Sequence, residues 1–151
     1  MKNFRIVRAV REQVIEVAKV FKTSRTQALP YLPELHTPEE DKQYFSAEVF
    51  EKDQVYVAEC VNSRRILGFI AFNDEFVDHL YLLPDSQRMG IGTALINIAK
   101  ERSSSLKLWT FQKNLNAQKF YLKHGFSVVK ETDGQENEEQ EPDVLLGWNQ
   151  K

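Results

Sequence analysis

A strand-like run that ends at Pro84 and a helical run that begins at Thr93 are joined through Gln87-Arg88-Met89-Gly90-Ile91-Gly92. Few local sequences limit a chain so tightly. Two glycines two apart let successive backbone N–H groups converge without a Cβ in the way. The helix that follows adds the positive end of its dipole. Together they form a cradle for a pyrophosphate. The competing reading is an ordinary strand-to-helix turn in which glycine relieves crowding. A nucleotide-binding P-loop is disfavoured, since no Gly-Lys-Ser/Thr follows. A dinucleotide fingerprint fails too, because Leu95 stands where GxGxxG needs its third glycine.

The rest of the chain is read by periodicity. Residues 4–10 alternate apolar and polar and predict a first strand. Val14, Val17, Ala18 and Phe21 fall at helical spacing within 11–21. The prolines at 30, 33 and 38 forbid one continuous helix there. Thr37-Pro38-Glu39-Glu40 reads as an N-cap, a first-turn proline and first-turn acids, opening a second helix that runs to about Phe50. Strands are predicted over 54–61, 66–73 and 76–84, a helix over 93–102, and a strand over 106–111. A helix over 117–124 ends at Gly125, and strands over 126–131 and 144–148 close the chain. The order is β-αα-β-β-β-α-β-α-β-β. It implies an α/β (α+β) fold: one domain over 1–151, with a mixed, mostly antiparallel, twisted sheet of six to seven strands and about four helices on its two faces.

Composition narrows the function classes. The 151 residues are 42% hydrophobic and 28% charged, ordinary for a globular domain. No run reaches the ~18 apolar residues that span a bilayer, and charges interrupt the N-terminus before any signal-peptide core. The expectation is a cytoplasmic protein. Cys60 stands alone in an apolar stretch and is expected to be a small buried thiol. His36, His79 and His124 lack metal-ligand spacing, so no metal is expected. The net charge of −2 hides an asymmetry: residues 131–143 hold seven acids and no base, while the rest of the chain is mildly basic. A basic body suits a phosphate-bearing ligand. No aromatic-basic RNA-binding motif is present, and no nucleic-acid or membrane partner is expected.

Two motifs carry a resemblance. Gln87, Gly90 and Gly92 match Gln/Arg-x-x-Gly-x-Gly/Ala. Downstream, Asn114, Ala117, Tyr121, Gly125 and Phe126 match Asn-x-x-Ala-x-x-x-Tyr-x-x-x-Gly-Phe at each specified position. In this order, with one helix and one strand between them, they identify the chain as a member of the GNAT superfamily of N-acetyltransferases. It further resembles a bacterial branch with Leu108-Trp109-Thr110-Phe111 in a strand and a Thr-Asp-Gly-x-x-Asn-Glu-Glu-x-x-Pro-Asp ending, here Thr132 to Asp143.

The resemblance implies transfer of an acetyl group from acetyl-CoA to a primary amine, by direct attack in a ternary complex. The pantetheine arm is expected in a notch between the strands at 77–83 and 106–111, against Leu80, Tyr81 and Leu82. The pyrophosphate is expected on the N–H groups of Arg88, Met89, Gly90, Ile91, Gly92 and Thr93, with Asn114 reaching the pantetheine arm. Tyr121 matches the tyrosine that protonates the leaving thiolate; position alone favours a packed helix aromatic with a satisfied hydroxyl, and the full motif favours the functional role. For the base, Asp78, Glu75 and water stay open. Phe76 stands where the family often has a glutamate. The acceptor is expected between the loops 29–38 and 132–143, which offer Tyr31, Leu32 and His36 on one side and Asp133, Glu136, Glu138, Glu139 and Asp143 on the other. Those acids read either as a solvated face or as a lure for a cationic amine.

Two alternatives remain on the sequence: a non-catalytic acyl-CoA-binding sensor or scaffold, and an acetyltransferase of protein N-termini or lysines rather than of small amines. Monomer and homodimer are both compatible with the residues.

Overall fold

A computed structural model describes residues 3–150; Met1, Lys2 and Lys151, which the expected domain includes, lie outside the described residues. Strand β1 (Phe4–Arg8) leads through a short turn into helix α1 (Val14–Ala28). Val14, Val17, Ala18 and Val20 are buried along one stripe of α1, which explains why apolar spacing announces the helix. The helix runs seven residues past Phe21, where that spacing ends. Its last turns, from Ser24 to Ala28, line clefts rather than core, so they need no apolar period.

Thr37 starts the second helical segment as expected. Its hydroxyl accepts from the Glu40 N–H at 3.1 Å, and the Glu40 carboxylate accepts from the Thr37 N–H at 2.8 Å. Helix α2 (Pro38–Tyr44) passes through a π-helical turn at Phe45–Val49 into α3 (Phe50–Lys52). The wider turn inserts a residue. It leaves Phe45 and Val49 in the core and Tyr44 exposed at 44%.

Strands β2 (Gln54–Cys60), β3 (Ile66–Phe72) and β4 (Val77–Leu82) continue as an antiparallel meander with β1, in the order β1-β2-β3-β4. Cys60, expected in the core, is only half-buried: it sits at the end of β2, where the Ser63 side chain bonds its thiol and holds it below its ordinary pKa. Helix α4 (Ile91–Glu101) crosses to β5 (Ser105–Phe111), and α5 (Leu115–Lys123) crosses to β6 (Ser127–Thr132). The last strand, β7 (Asp143–Asn149), inserts between β5 and β6 and pairs antiparallel with both.

Helices cover both faces. On one side α1 and the π turn bury Val17, Phe45, Val57 and Phe69. On the other, α4 and α5 bury Ile70, Phe72, Leu95, Leu106, Tyr121 and Leu146. Each such side chain contributes roughly 1.5–3 kcal/mol of burial. β3 is buried at each of its residues because it faces both cores.

The feature that positions the site is where the two sheets part. β4 and β5 run parallel and touch through a bridge between Phe76 and Lys107, supported by the Lys107 N–H donating to the Glu75 carbonyl at 2.9 Å. Beyond it, among the described residues, the strands form no further bridge and splay.

Candidate active site

The splay opens a cleft of about 700 Å³. Leu80, Tyr81 and Leu82 wall it from β4, and Leu108, Trp109, Thr110 and Phe111 from β5. Its floor is the turn into α4. Arg88 and Gly90 both adopt positive φ, +67° and +84°. Left-handed residues in close succession curl the N–H groups toward one point. Nothing lies within 4 Å of where a Gly90 Cβ would stand, so this glycine answers a backbone conformation and an open approach. Gly92 has a different reason: a Cβ there would sit 3.1 Å from the Phe120 ring, so its smallness lets α4 close on α5. Gly90 caps α4 without any side-chain hydrogen bond, and the first turn carries no acid. The free N–H groups of Ile91, Gly92 and Thr93 are thus open to an anion.

Every residue expected to hold the donor lines this cleft except Met89, which is 39% exposed. Asn114 lies on the wall and caps α5, its side-chain oxygen accepting from the Ala117 N–H at 3.2 Å. Among the described residues its amide N–H₂ has no hydrogen-bond partner. Tyr121 projects from α5 to the same wall, its ring packed on Phe120 and Phe126 at 5.2 and 5.5 Å. Burial, with Tyr81 nearby, pushes its hydroxyl well above the ordinary phenol range.

A second cleft of about 280 Å³ lies against α1, α2 and the acidic loop. The two clefts share Asp78, His79, Tyr81 and Phe111 in their walls, so they meet at β4. Phe21, Tyr44 and Tyr81 supply aromatic surface, while Glu138 and Glu139 descend from the acidic loop.

Strict alternation along the strand would place Asp78 on the face of Leu80 and Leu82. The structure differs. A bulge opposite Ala71 and Phe72 gives β4 an extra residue at 78, so Val77 joins Leu80 and Leu82 in the core. Asp78 turns aside toward Asn73, whose amide donates to it at 3.2 Å and to Asp53 at 3.0 Å. Partial withdrawal from water, then the neighbouring Asp53 carboxyl, raise the Asp78 pKa to about 7. His79 faces the α1 and α2 side, packed on Phe21 and Phe45. Its Nε2 lies 2.9 Å from the Tyr44 hydroxyl, and burial lowers its pKa to about 4, so it is neutral and serves as that hydroxyl's acceptor. Burial, with Asp78 and Asp53 beside it, pushes Tyr44 up to about 12.

Other candidates fare differently. Glu75 lies on the exposed turn before β4 and lines neither cleft; its main chain serves the turn, the N–H bonding the Asn73 side chain and the carbonyl closing the base of the splay. Tyr31 also lies outside both clefts, under the Lys113 ammonium at 5.1 Å. Asp133 bonds the Gln135 N–H at 3.1 Å, and neither it nor Glu136 reaches a cleft. His36 and Glu138 do line the smaller cleft and pair with each other.

The acidic loop is neither free nor merely solvated. Glu139 pairs with Arg25 of α1 at 2.9 Å, both side chains about one-fifth exposed, and Glu141 pairs with Lys113 at 3.3 Å. Asp143 is buried and accepts from Thr132 and Asn137. Gly134 holds φ +83°, and a Cβ there would fall 2.2 Å from the Glu141 carbonyl. The loop is a built wall.

Tyr44, Asp53 and Arg25 were not singled out by the sequence. Arg25 sits beyond the apolar period of α1, and Tyr44 and Asp53 reach Asp78 only through tertiary folding. Among the described residues no cluster of three or more His, Cys, Asp or Glu is arranged to hold a metal ion, and no helix is long and apolar enough to cross a membrane.

A splayed parallel strand pair beside an anion cradle, with a second pocket meeting it, defines the GNAT class of fold. The model of the Acetyltransferase (GNAT) domain matches residues 51–128, just over half the chain, and the chain belongs to that family. Over 85 residues it is 32% identical to the peptidyl-lysine N-acetyltransferase YiaC of Escherichia coli (strain K12), a match taking in 56% of this chain and 57% of that protein. The chain spans little more than half the length of the curated relatives it matches. The apo-form solution structure of YjaB from Escherichia coli superposes with a TM-score of 0.78 at 20% identity, covering 98% of this chain and 99% of that one. The PaiA N-acetyltransferase of Thermoplasma acidophilum, solved in complex with coenzyme A, superposes with a TM-score of 0.76 at 18% identity, covering 97% and 98%. At such identities these two structures carry the fold and nothing further.

Proposed function

We propose that the chain is an acetyl-CoA-dependent N-acetyltransferase acting on a primary amine by direct attack within a ternary complex. The observation that carries this is the meeting of the two clefts at Asp78, His79, Tyr81 and Phe111. One cleft has the cradle and the splayed edges that suit a pyrophosphate and a pantetheine arm. The other has carboxylates and aromatic surface that suit an aminoalkyl chain.

The chemistry follows from the groups present. An alkyl ammonium, with a pKa near ~10, must lose a proton before it can attack. Asp78, with its pKa raised to about 7, is a better acceptor at neutral pH than an ordinary carboxylate and still ionised in about half the molecules. The amine nitrogen then bonds to the thioester carbon, and an oxyanion forms that a main-chain N–H near Leu82 stabilises. The C–S bond breaks as the carbonyl re-forms. Asp78 passes the ammonium proton to solvent and, ionised again, takes the surplus proton from the amide nitrogen. The thiolate takes its proton from Tyr121, which regains one from water, so that one proton is released overall.

A cleft of about 280 Å³ takes an aminoalkyl chain, which a free small amine and a lysine side chain both present. YiaC, by its name, acts on peptidyl-lysine. The reading carries with it one domain over residues 1–151, acetyl-CoA as co-substrate, no metal, and a cytoplasmic monomer or homodimer. The test is calorimetry with acetyl-CoA. Wild type binds; Gly90→Val, which forces a branched side chain to φ +84° at the cradle, loses binding while keeping its fold by circular dichroism. Unchanged affinity in a folded variant overturns the donor site.

A further inference from the structure

Three residues from separate parts of the chain converge beside the meeting point of the clefts. Asp53 stands in the turn between α3 and β2, Asn73 follows β3, and Asp78 occupies the bulge of β4. The Asn73 amide nitrogen donates to Asp53 at 3.0 Å and to Asp78 at 3.2 Å. Its oxygen is equally engaged, accepting from the N–H groups of Glu75 and Phe76 at 3.0 and 2.8 Å. Asn73 is therefore fixed by the turn it closes, and it fixes the two carboxyls in turn.

We propose that Asp53, held against Asp78 through Asn73, is a positioning residue for acetyl transfer: it keeps the Asp78 carboxyl ready to take the acceptor's proton. This rests on the reading of Asp78 as the base. Two carboxyls on one amide resist ionising together. The Asp53 carboxylate, held on the same amide, favours the protonated form of Asp78. Moving a proton from the ammonium to Asp78 then relieves the repulsion between the two carboxylates. Asp53 itself lines neither cleft, so it acts through Asp78.

The other charged and titratable groups around Asp78 do not take this role. Tyr44 of α2 and His79 of β4 bond each other and are neutral near pH 7. Across the smaller cleft, Lys22 and Arg25 of α1 pair with Asp41 and Glu139, and His36 pairs with Glu138. Asp53 is left as the group that sets the charge beside Asp78.

The experiment follows the Asp78 side-chain carboxyl by ¹³C NMR titration of the full chain, alongside the pH dependence of kcat/KM. Asp53→Asn keeps the shape and removes the charge; the Asp78 titration moves down by about one unit or more, and the limb of kcat/KM moves with it. Asn73→Asp keeps the oxygen that closes the turn, replaces the donating nitrogen, and adds a negative charge; the titration moves up. These two variants shift Asp78 in opposite directions, which a general loss of structure does not do. An Asp78 titration unchanged in a folded Asp53→Asn overturns the inference. If the titration moves and the kcat/KM limb stays, Asp78 is not the base, and the proposed mechanism fails together with the role of Asp53.

Discussion

Replacing Tyr121 by phenylalanine separates a packing role from a chemical one with little ambiguity. The ring is 8% exposed and sits in the α4–α5 core against Phe120 and Phe126. Phenylalanine keeps all of that surface. The hydroxyl makes no hydrogen bond among the described residues and opens on the larger cleft. Its removal therefore leaves stability within about 1 kcal/mol, a shift of roughly 2–4 °C for a domain of this size. Turnover should respond differently. Losing one proton or hydrogen-bond donor at the departing thiolate costs roughly 10- to 1,000-fold in kcat, or about 1.4–4 kcal/mol of barrier. Acetyl-CoA affinity should change less than about tenfold, since one hydrogen bond is worth ~0.5–1.5 kcal/mol. Burial holds the hydroxyl protonated well past neutrality, so the variant lowers the whole pH plateau and leaves the limb near pH 7 in place. The assay is thiol release under saturating acetyl-CoA, with thermal melting alongside. A folded variant with near-normal kcat refutes the role of Tyr121 and leaves water to protonate the thiolate.

Two further outcomes follow from the geometry. Asp78 has its folded-state pKa raised from 3.8 to about 7, so the folded chain holds a proton that the unfolded chain has released. The stability tied to this group is present below about pH 4 and is lost as pH rises through about 7. Asp78→Asn removes that dependence: its melting temperature should gain on wild type between pH 4 and pH 8, and parallel curves would contradict the raised pKa. Gly134→Ala meets a φ of +83° and the Glu141 main chain; the φ alone costs roughly 1–2 kcal/mol, and the clash forces the acidic loop to shift. The acceptor KM should then rise while the KM for acetyl-CoA holds, and an unchanged acceptor KM would remove the loop from the substrate site.

The residues best read from sequence are those whose demands are local. Gly90 needs a left-handed backbone, and Thr37 with Glu40 needs only a helix start, so their neighbours announce them. Strands β2 and β3 show as short apolar runs because β2 is buried over four consecutive residues and β3 at each of its residues. Asp78 misled for the opposite reason: a bulge changes side-chain parity, and nothing in residues 76–80 marks the extra residue. Tyr44 was hidden by the π turn beside it, which breaks the helical count. Asp53 and Arg25 look like ordinary surface charges until the fold brings one to Asn73 and the other to Glu139. The acidic run was legible as a run, whereas its order depends on Arg25, His36 and Lys113, which lie far away in sequence.

The central claim is that donor and acceptor meet at β4 and react there. Its most direct measurement is mass-spectrometric detection of acetylated product after incubating the wild-type chain with acetyl-CoA and a panel of small primary amines and lysine-containing peptides. The account predicts product from at least one amine, formed in step with free CoA and formed roughly 10- to 1,000-fold more slowly in Tyr121→Phe. Tight acetyl-CoA binding with no acetylated product from any member of the panel would contradict it and make the chain a binding module.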